Sequence, residues 1–96
     1  MAKALSQAEI TEALRSHPQW SLEGGKFVRK WTFKDFVEAM AFVNRVAAVA
    51  EAAGHHPDID IRYNHVTLGL VSHDAGGITV RDITMAGQFE NGFETK

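Results

Sequence analysis

Three of the five histidines in this 96-residue chain fall in two short runs, Gly54-His55-His56-Pro57 and Ser72-His73-Asp74. Histidine gains and loses its proton near neutral pH, so neighbouring imidazoles suit proton transfer, one ring donating while another accepts. Such acid–base groups commonly contribute about 10² to 10⁴ in rate. The first pair directly follows a long apolar-patterned segment ending at Gly54. This puts the rings at a helix C-terminus, where unpaired carbonyls favour a proton donor. Pro57 biases His56 toward extended backbone and stiffens the exit. Asp82 brings a carboxylate to the same end if the chain folds as described below. Other readings stay open at this point. A His-His-Pro run is also an ordinary polar helix exit, Asp82 also fits a capping box with Thr79, and Glu51 is either solvated or an ion-pair partner for an imidazole. His17 and His65 sit in a loop and a turn, with no role assigned.

The elements that must bring these runs together are legible as periodicity. Three helix starts carry a hydroxyl residue, an acid three places on and an apolar staple: Ser6 with Glu9, Thr32 with Asp35, and Thr79 with Asp82. The first helix ends near Ser16, before His17-Pro18. The second places Phe36, Met40, Val43, Val46, Ala47, Ala50 and Ala53 on one face and closes at Gly54. The third aligns Ile83, Ala86, Phe89 and Phe93. Between them, period-two patterns predict a hairpin from Trp20–Leu22 and Lys26–Phe33. A second hairpin has Ile59, Ile61 and Tyr63 on the face continued by Val66, Leu68 and Leu70. Trp20, Trp31 and Phe33 are expected in the core. The order α-β-β-α-β-β-α predicts an α+β fold, a four-stranded antiparallel sheet with three helices packed on one face, as a single domain over 1–96. In that hairpin the end of the fourth strand returns beside the start of the third, so His73 comes back to His55 and His56. Gly76-Gly77 then lets the chain enter the third helix.

Composition narrows the function classes. Ten Lys plus Arg against twelve Asp plus Glu give a net charge of −2, with the basic residues scattered, which disfavours recognition of nucleic acid through phosphates. The absence of cysteine removes disulfides, thiolate metal sites and thiol nucleophiles. Three histidines also suit a zinc ion with an open position for water. Adjacent histidines are awkward joint ligands, however, and no HExxH, HxH or clustered-acid motif accompanies them, so no metal or other cofactor is expected. No window approaches a membrane span and Met1–Ser6 lacks a secretory apolar stretch, making the cytoplasm the expected address, with no membrane partner.

The ordered set Glu51-x-x-x-His55-His56-Pro57, Tyr63-Asn64-x-Val66, Ser72-His73-Asp74-Ala75-Gly76-Gly77-Ile78-Thr79 and Asp82 closely resembles the pterin-4a-carbinolamine dehydratases. The resemblance implies a hydro-lyase that removes water from 4a-hydroxytetrahydrobiopterin to give the quinonoid dihydropterin, in tetrahydrobiopterin recycling after aromatic amino acid hydroxylation. It implies His55, His56 and His73 as catalytic residues, with Gly54, Ser72, Asp74 and Asp82 around the pterin. It also implies a homodimer or homotetramer. An alternative that it carries is a protein-binding module, a dimerisation cofactor of a transcription factor. The chain departs from many relatives at Ile59, where they have an aromatic residue.

Overall fold

The computed structural model describes residues 3–92. In chain order the elements are α1 (Gln7–Ser16), β1 (Ser21–Glu23), β2 (Lys26–Thr32), α2 (Phe36–Ala53), β3 (Asp58–Arg62), β4 (His65–Leu70), a 3-10 turn (His73–Ala75) and α3 (Val80–Gly92). The expected α+β architecture is the one observed: the four strands are antiparallel in the order β1-β2-β4-β3, and the helices cover one face. Phe93, expected on the stripe of the third helix, lies outside the described residues.

The helix caps follow from local chemistry. Ser6 Oγ accepts from the Glu9 N–H at 3.1 Å, and Glu9 Oε1 accepts from the Ser6 N–H at 2.8 Å, a complete capping box. Gly54 ends α2 with φ 64 and ψ 30, a left-handed geometry in which a Cβ is penalised. At the start of α2 the structure corrects the expectation. The cap is Asp35, whose side chain accepts from the Glu38 N–H, and not Thr32. Thr32 remains in β2, paired with His65, and the next N–H, that of Phe33, donates to the Asn64 carbonyl. Extended pairing holds this segment and delays the helix to Phe36.

The core forms where β2 and β4 meet α2 and α3. Phe27, Val66, Leu68 and Leu70 pack with Phe42, Val46, Met85, Ala86 and Phe89. The expected aromatic group is there too: Trp20 stacks on Phe27 at a centroid distance of 5.3 Å, and Trp31 and Phe33 approach Phe42 at 4.7 and 5.1 Å. Each fully buried large apolar side chain contributes about 1.5–3 kcal/mol. The buried stripe of α2 is Ala39, Phe42, Val43, Val46 and Ala50, while Phe36 is 48% exposed and Ala47 and Ala53 face outward. Because α2 is apolar over most of its circumference, periodicity alone leaves the inward direction ambiguous. Ile59 and Ile61 do lie opposite Leu68 and Val66, on the expected face. They stay 38% and 39% exposed because β3 is an edge strand. Tyr63 is not in the strand but in the turn, at φ 54.

One long-range polar contact ties the first and last helices. His17, the C-cap of α1, places Nδ1 at 3.1 Å from both carboxylate oxygens of Glu90 on α3. Both side chains are largely buried. Removing the carboxylate with Glu90→Ala is expected to cost about 1–2 kcal/mol, which calorimetry reads as a drop in Tm of roughly 4–16 °C. An unchanged Tm would show that α1 docks by apolar contacts alone.

Candidate active site

Three chain segments meet at the end of the sheet where β3 begins and β4 ends. The first is the exit of α2. Gly54 turns the chain, the His55 N–H still donates to the Ala50 carbonyl at 3.1 Å, and the imidazoles follow before Pro57 starts the path into β3. The second is the loop after β4, closed at its base by Ser72 and Gly77. The Ser72 N–H donates to Gly77 O at 3.0 Å, and the Gly77 N–H returns to Ser72 O at 3.3 Å. Within that loop the 3-10 turn carries His73 and Asp74, and Gly76 leaves it at φ 75, a left-handed value suited to glycine. The third is the first turn of α3, with Thr79, Arg81 and Asp82.

Between the first two segments lies a cleft of about 410 Å³, lined by Gly54, His55 and His56 on one side and Val71–Asp74 on the other, with Arg81 at its border. The three imidazoles singled out from the sequence share this cleft, as do Gly54, Ser72 and Asp74. A second, more apolar cleft of about 230 Å³ opens between Ala53 and α3 and shares His55 and Arg81 with the first.

Asp82 does not line the cleft. It is completely buried behind it and serves two of the readings left open by sequence at once. Its Oδ2 accepts from the Thr79 N–H at 2.8 Å, the capping function, and from Ser72 Oγ at 2.9 Å. Its Oδ1 lies 2.6 Å from His55 Nε2. Ser72 Oγ and Thr79 Oγ1 are 2.8 Å apart, and Thr79 Oγ1 accepts from the Arg81 N–H at 3.1 Å. One proton order satisfies the whole chain: Thr79 donates to Ser72, Ser72 donates to Asp82, and His55 Nε2–H donates to the other carboxylate oxygen. A neutral His55 then carries its lone pair on Nδ1, for which the described residues supply no partner. A carboxylate behind an imidazole fixes both the ring's orientation and its tautomer.

His56 and His73 are held differently. His56 Nε2 is 3.0 Å from Glu51 Oε1, one turn back on α2, and both side chains are exposed. The Glu51 carboxylate is therefore both solvated and a hydrogen-bond partner for the His56 imidazole. His73 is exposed at the cleft wall. Arg81 was not singled out from sequence, although its Nη2 donates to Asp74 Oδ1 at 2.7 Å and it borders both clefts. The available signal was a cation in the first turn of a helix, where the dipole disfavours it. His65 sits on the opposite face, with Nδ1 3.1 Å from Thr32 Oγ1, and takes no part. Among the described residues, no three His, Asp or Glu side chains are arranged to hold a metal ion.

The hydrogen bond from Arg81, reinforced by that cation's charge and by the Asp74 and Ala75 N–H groups, holds the Asp74 carboxyl below the usual carboxylate range. A pKa depressed in the folded state stabilises above the unfolded value of about 3.9, and the contribution disappears as pH falls through the folded value. The Tm difference between the parent and Asp74→Asn should therefore be constant from pH 7 to about 5 and shrink below about pH 4. A difference that persists unchanged to pH 2 would contradict the pairing.

Comparison with known proteins follows the same lines. The family profile described as "Pterin 4 alpha carbinolamine dehydratase" matches residues 3–91. A protein of Koribacter versatilis, provisionally named pterin-4-alpha-carbinolamine dehydratase, is 58% identical over 88 residues, covering 92% of this chain and 94% of the relative. A similarly named Chloroflexus aurantiacus protein is 57% identical over 82 residues, covering 85% and 88%. Among solved structures, a "transcriptional coactivator/pterin dehydratase" from Brucella melitensis superposes with a TM-score of 0.88 at 35% identity, covering 97% of this chain and all of that one. A pterin dehydratase-like protein described as a RuBisCO assembly factor in the alpha-carboxysome shares the fold, with a TM-score of 0.67 at 20% identity and coverage of 81% and 93%.

Proposed function

Because this chain belongs to the pterin 4 alpha carbinolamine dehydratase family, we propose that it dehydrates 4a-hydroxytetrahydrobiopterin to the quinonoid dihydropterin by histidine acid–base catalysis. The observation that carries the reading is the single cleft shared by His55, His56 and His73. Its volume of about 410 Å³ lies within the range common for small-molecule sites.

The reaction breaks the C4a–O bond and removes the proton on N5. Hydroxide is a poor leaving group, so a proton must reach the oxygen as the bond breaks, and the N5 lone pair then forms the C4a=N5 double bond. His56 is the proposed acid, delivering its proton to the C4a oxygen so that water departs. His55 or His73 accepts the N5 proton. His55 suits that task because Asp82 anchors Nε2 and leaves the lone pair on Nδ1. Gly54, Ser72 and Asp74 border the bound ring, and Asp82 supports the site through His55. The substrate's own nitrogen expels the leaving group, so the step requires no cofactor. Rapid mixing of purified protein with freshly generated 4a-hydroxytetrahydropterin should accelerate the spectroscopic change that marks its dehydration. A rate equal to the uncatalysed one would overturn the proposal.

The chain is proposed to work as one domain over 1–96, in the cytoplasm and in tetrahydrobiopterin recycling. Among the described residues no helix is long and apolar enough to cross a membrane. A homodimer or homotetramer is proposed because β3 is an edge strand with Ile59 and Ile61 more than a third exposed, and an open apolar edge favours pairing with another chain. A second reading, as a dimerisation cofactor of a transcription factor, draws on the coactivator description of the Brucella melitensis relative and on the exposed Val37 and Val80 at the helix starts. Intact turnover without capture of helical partners at micromolar concentration would remove it.

A further inference from the structure

Arg81 occupies the second position of α3, where unpaired N–H groups already carry partial positive charge. Two contacts hold the cation there. Nη2 donates to Asp74 Oδ1 at 2.7 Å, and Nε donates to Thr79 Oγ1 at 3.4 Å. Asp74 is the middle residue of the turn that begins with His73. The pair therefore links the loop bearing His73 to the helix bearing Asp82. At its base the loop is closed by the Ser72–Gly77 backbone pair and by Ser72 Oγ bonded to Thr79 Oγ1 and Asp82 Oδ2, and within the turn the Gly76 N–H donates to His73 O at 3.1 Å. Asp74 provides the side-chain tie at the tip, and the glycines that follow leave the backbone free to pivot once it is cut.

We propose that Arg81 is a positioning residue that acts through Asp74 to fix the loop tip, and with it the His73 imidazole, at the cleft wall. Its bearing on turnover rests on the dehydratase reading above. A guanidinium fits this task because its planar fork serves Asp74 and Thr79 together, which a lysine ammonium does not reproduce.

A double-mutant cycle with Arg81→Met and Asp74→Ala tests the proposal, with imidazole ¹H–¹⁵N NMR as a second readout. Each single change should lower kcat roughly tenfold with KM little altered, since a small misplacement of a catalytic group is costly. The double variant should lose about the same tenfold, because both changes cut one contact. Arg81→Lys should recover part of the loss. The His73 ring resonances should shift or broaden in each variant while those of His56 remain. Multiplicative losses in the double variant, a loss confined to KM, or unmoved His73 resonances would overturn it. Should Arg81→Met fold poorly, Asp74→Ala, at an exposed site, removes the acceptor of the same pair and carries the test alone. If the parent protein does not turn over the carbinolamine, the dehydratase reading fails, and the NMR arm still decides whether Arg81 holds His73.

Discussion

Alanine at His56 or at His73 is expected to lower turnover of 4a-hydroxytetrahydropterin at least tenfold and up to about 10² to 10⁴, the usual contribution of a general acid or base, while leaving the protein folded. Both side chains are exposed, and the His56 ring bonds the exposed carboxylate of Glu51. Exposed substitutions of this kind change stability by about 0.5 kcal/mol or less. The separation of effects is the useful part. A fall in rate with an unchanged thermal transition assigns the rings to chemistry, and a rate within a factor of two of the parent would remove His56 or His73 from the mechanism.

Asp82 is expected to give the opposite pattern, a large loss of both stability and rate. Its carboxylate is fully buried, caps α3 through the Thr79 N–H, accepts from Ser72 Oγ and meets His55 Nε2. Asp82→Ala removes these partners together and leaves polar groups in a closed space. Breaking such an arrangement costs about 3–5 kcal/mol, a drop in Tm on the order of 15 °C or more for a chain of this size. Asp82→Asn separates the two roles. It keeps the shape and one carbonyl acceptor, so the stability loss should be smaller, about 1–3 kcal/mol. An amide N–H facing His55 Nε2 turns that nitrogen into an acceptor, moves the ring proton to Nδ1 and leaves no lone pair there for the substrate. Turnover should then fall by at least tenfold, following the general acid–base contribution, with the His55 tautomer change visible by ¹⁵N NMR. An Asn variant that retains both full activity and the parent tautomer would exclude Asp82 from positioning His55.

The contrast between these residues follows what was legible in the sequence. Short-range features were: the Ser6–Glu9 box, the Gly54 turn and the Thr79–Asp82 cap each depend on residues within four positions and were readable directly. The second hairpin sets the return of His73 to His55 and His56, so the meeting of the three imidazoles was readable as well. Contacts across the fold were not. Asp82 could be read as cap or site residue, and only the placing of the α2 exit beside the first turn of α3 lets its second oxygen reach His55, 27 residues away. The same holds for His17 with Glu90, 73 residues apart. Competition between local preferences hid the start of α2, where a plausible Thr32 cap lost to strand pairing with His65. On α2 itself, apolar residues on nearly every side concealed that Phe42 and not Phe36 points inward.

The central claim is that one small heterocycle is handled by three imidazoles from separate stretches of chain. A crystal structure with a bound dihydropterin tests it most directly. The bicyclic ring should lie between Gly54–His56 and Ser72–Asp74, with His55, His56 and His73 all in contact with it and Asp82 still bonded to His55. A ring seated outside this cleft, or one touched by none of the three histidines, would contradict the account.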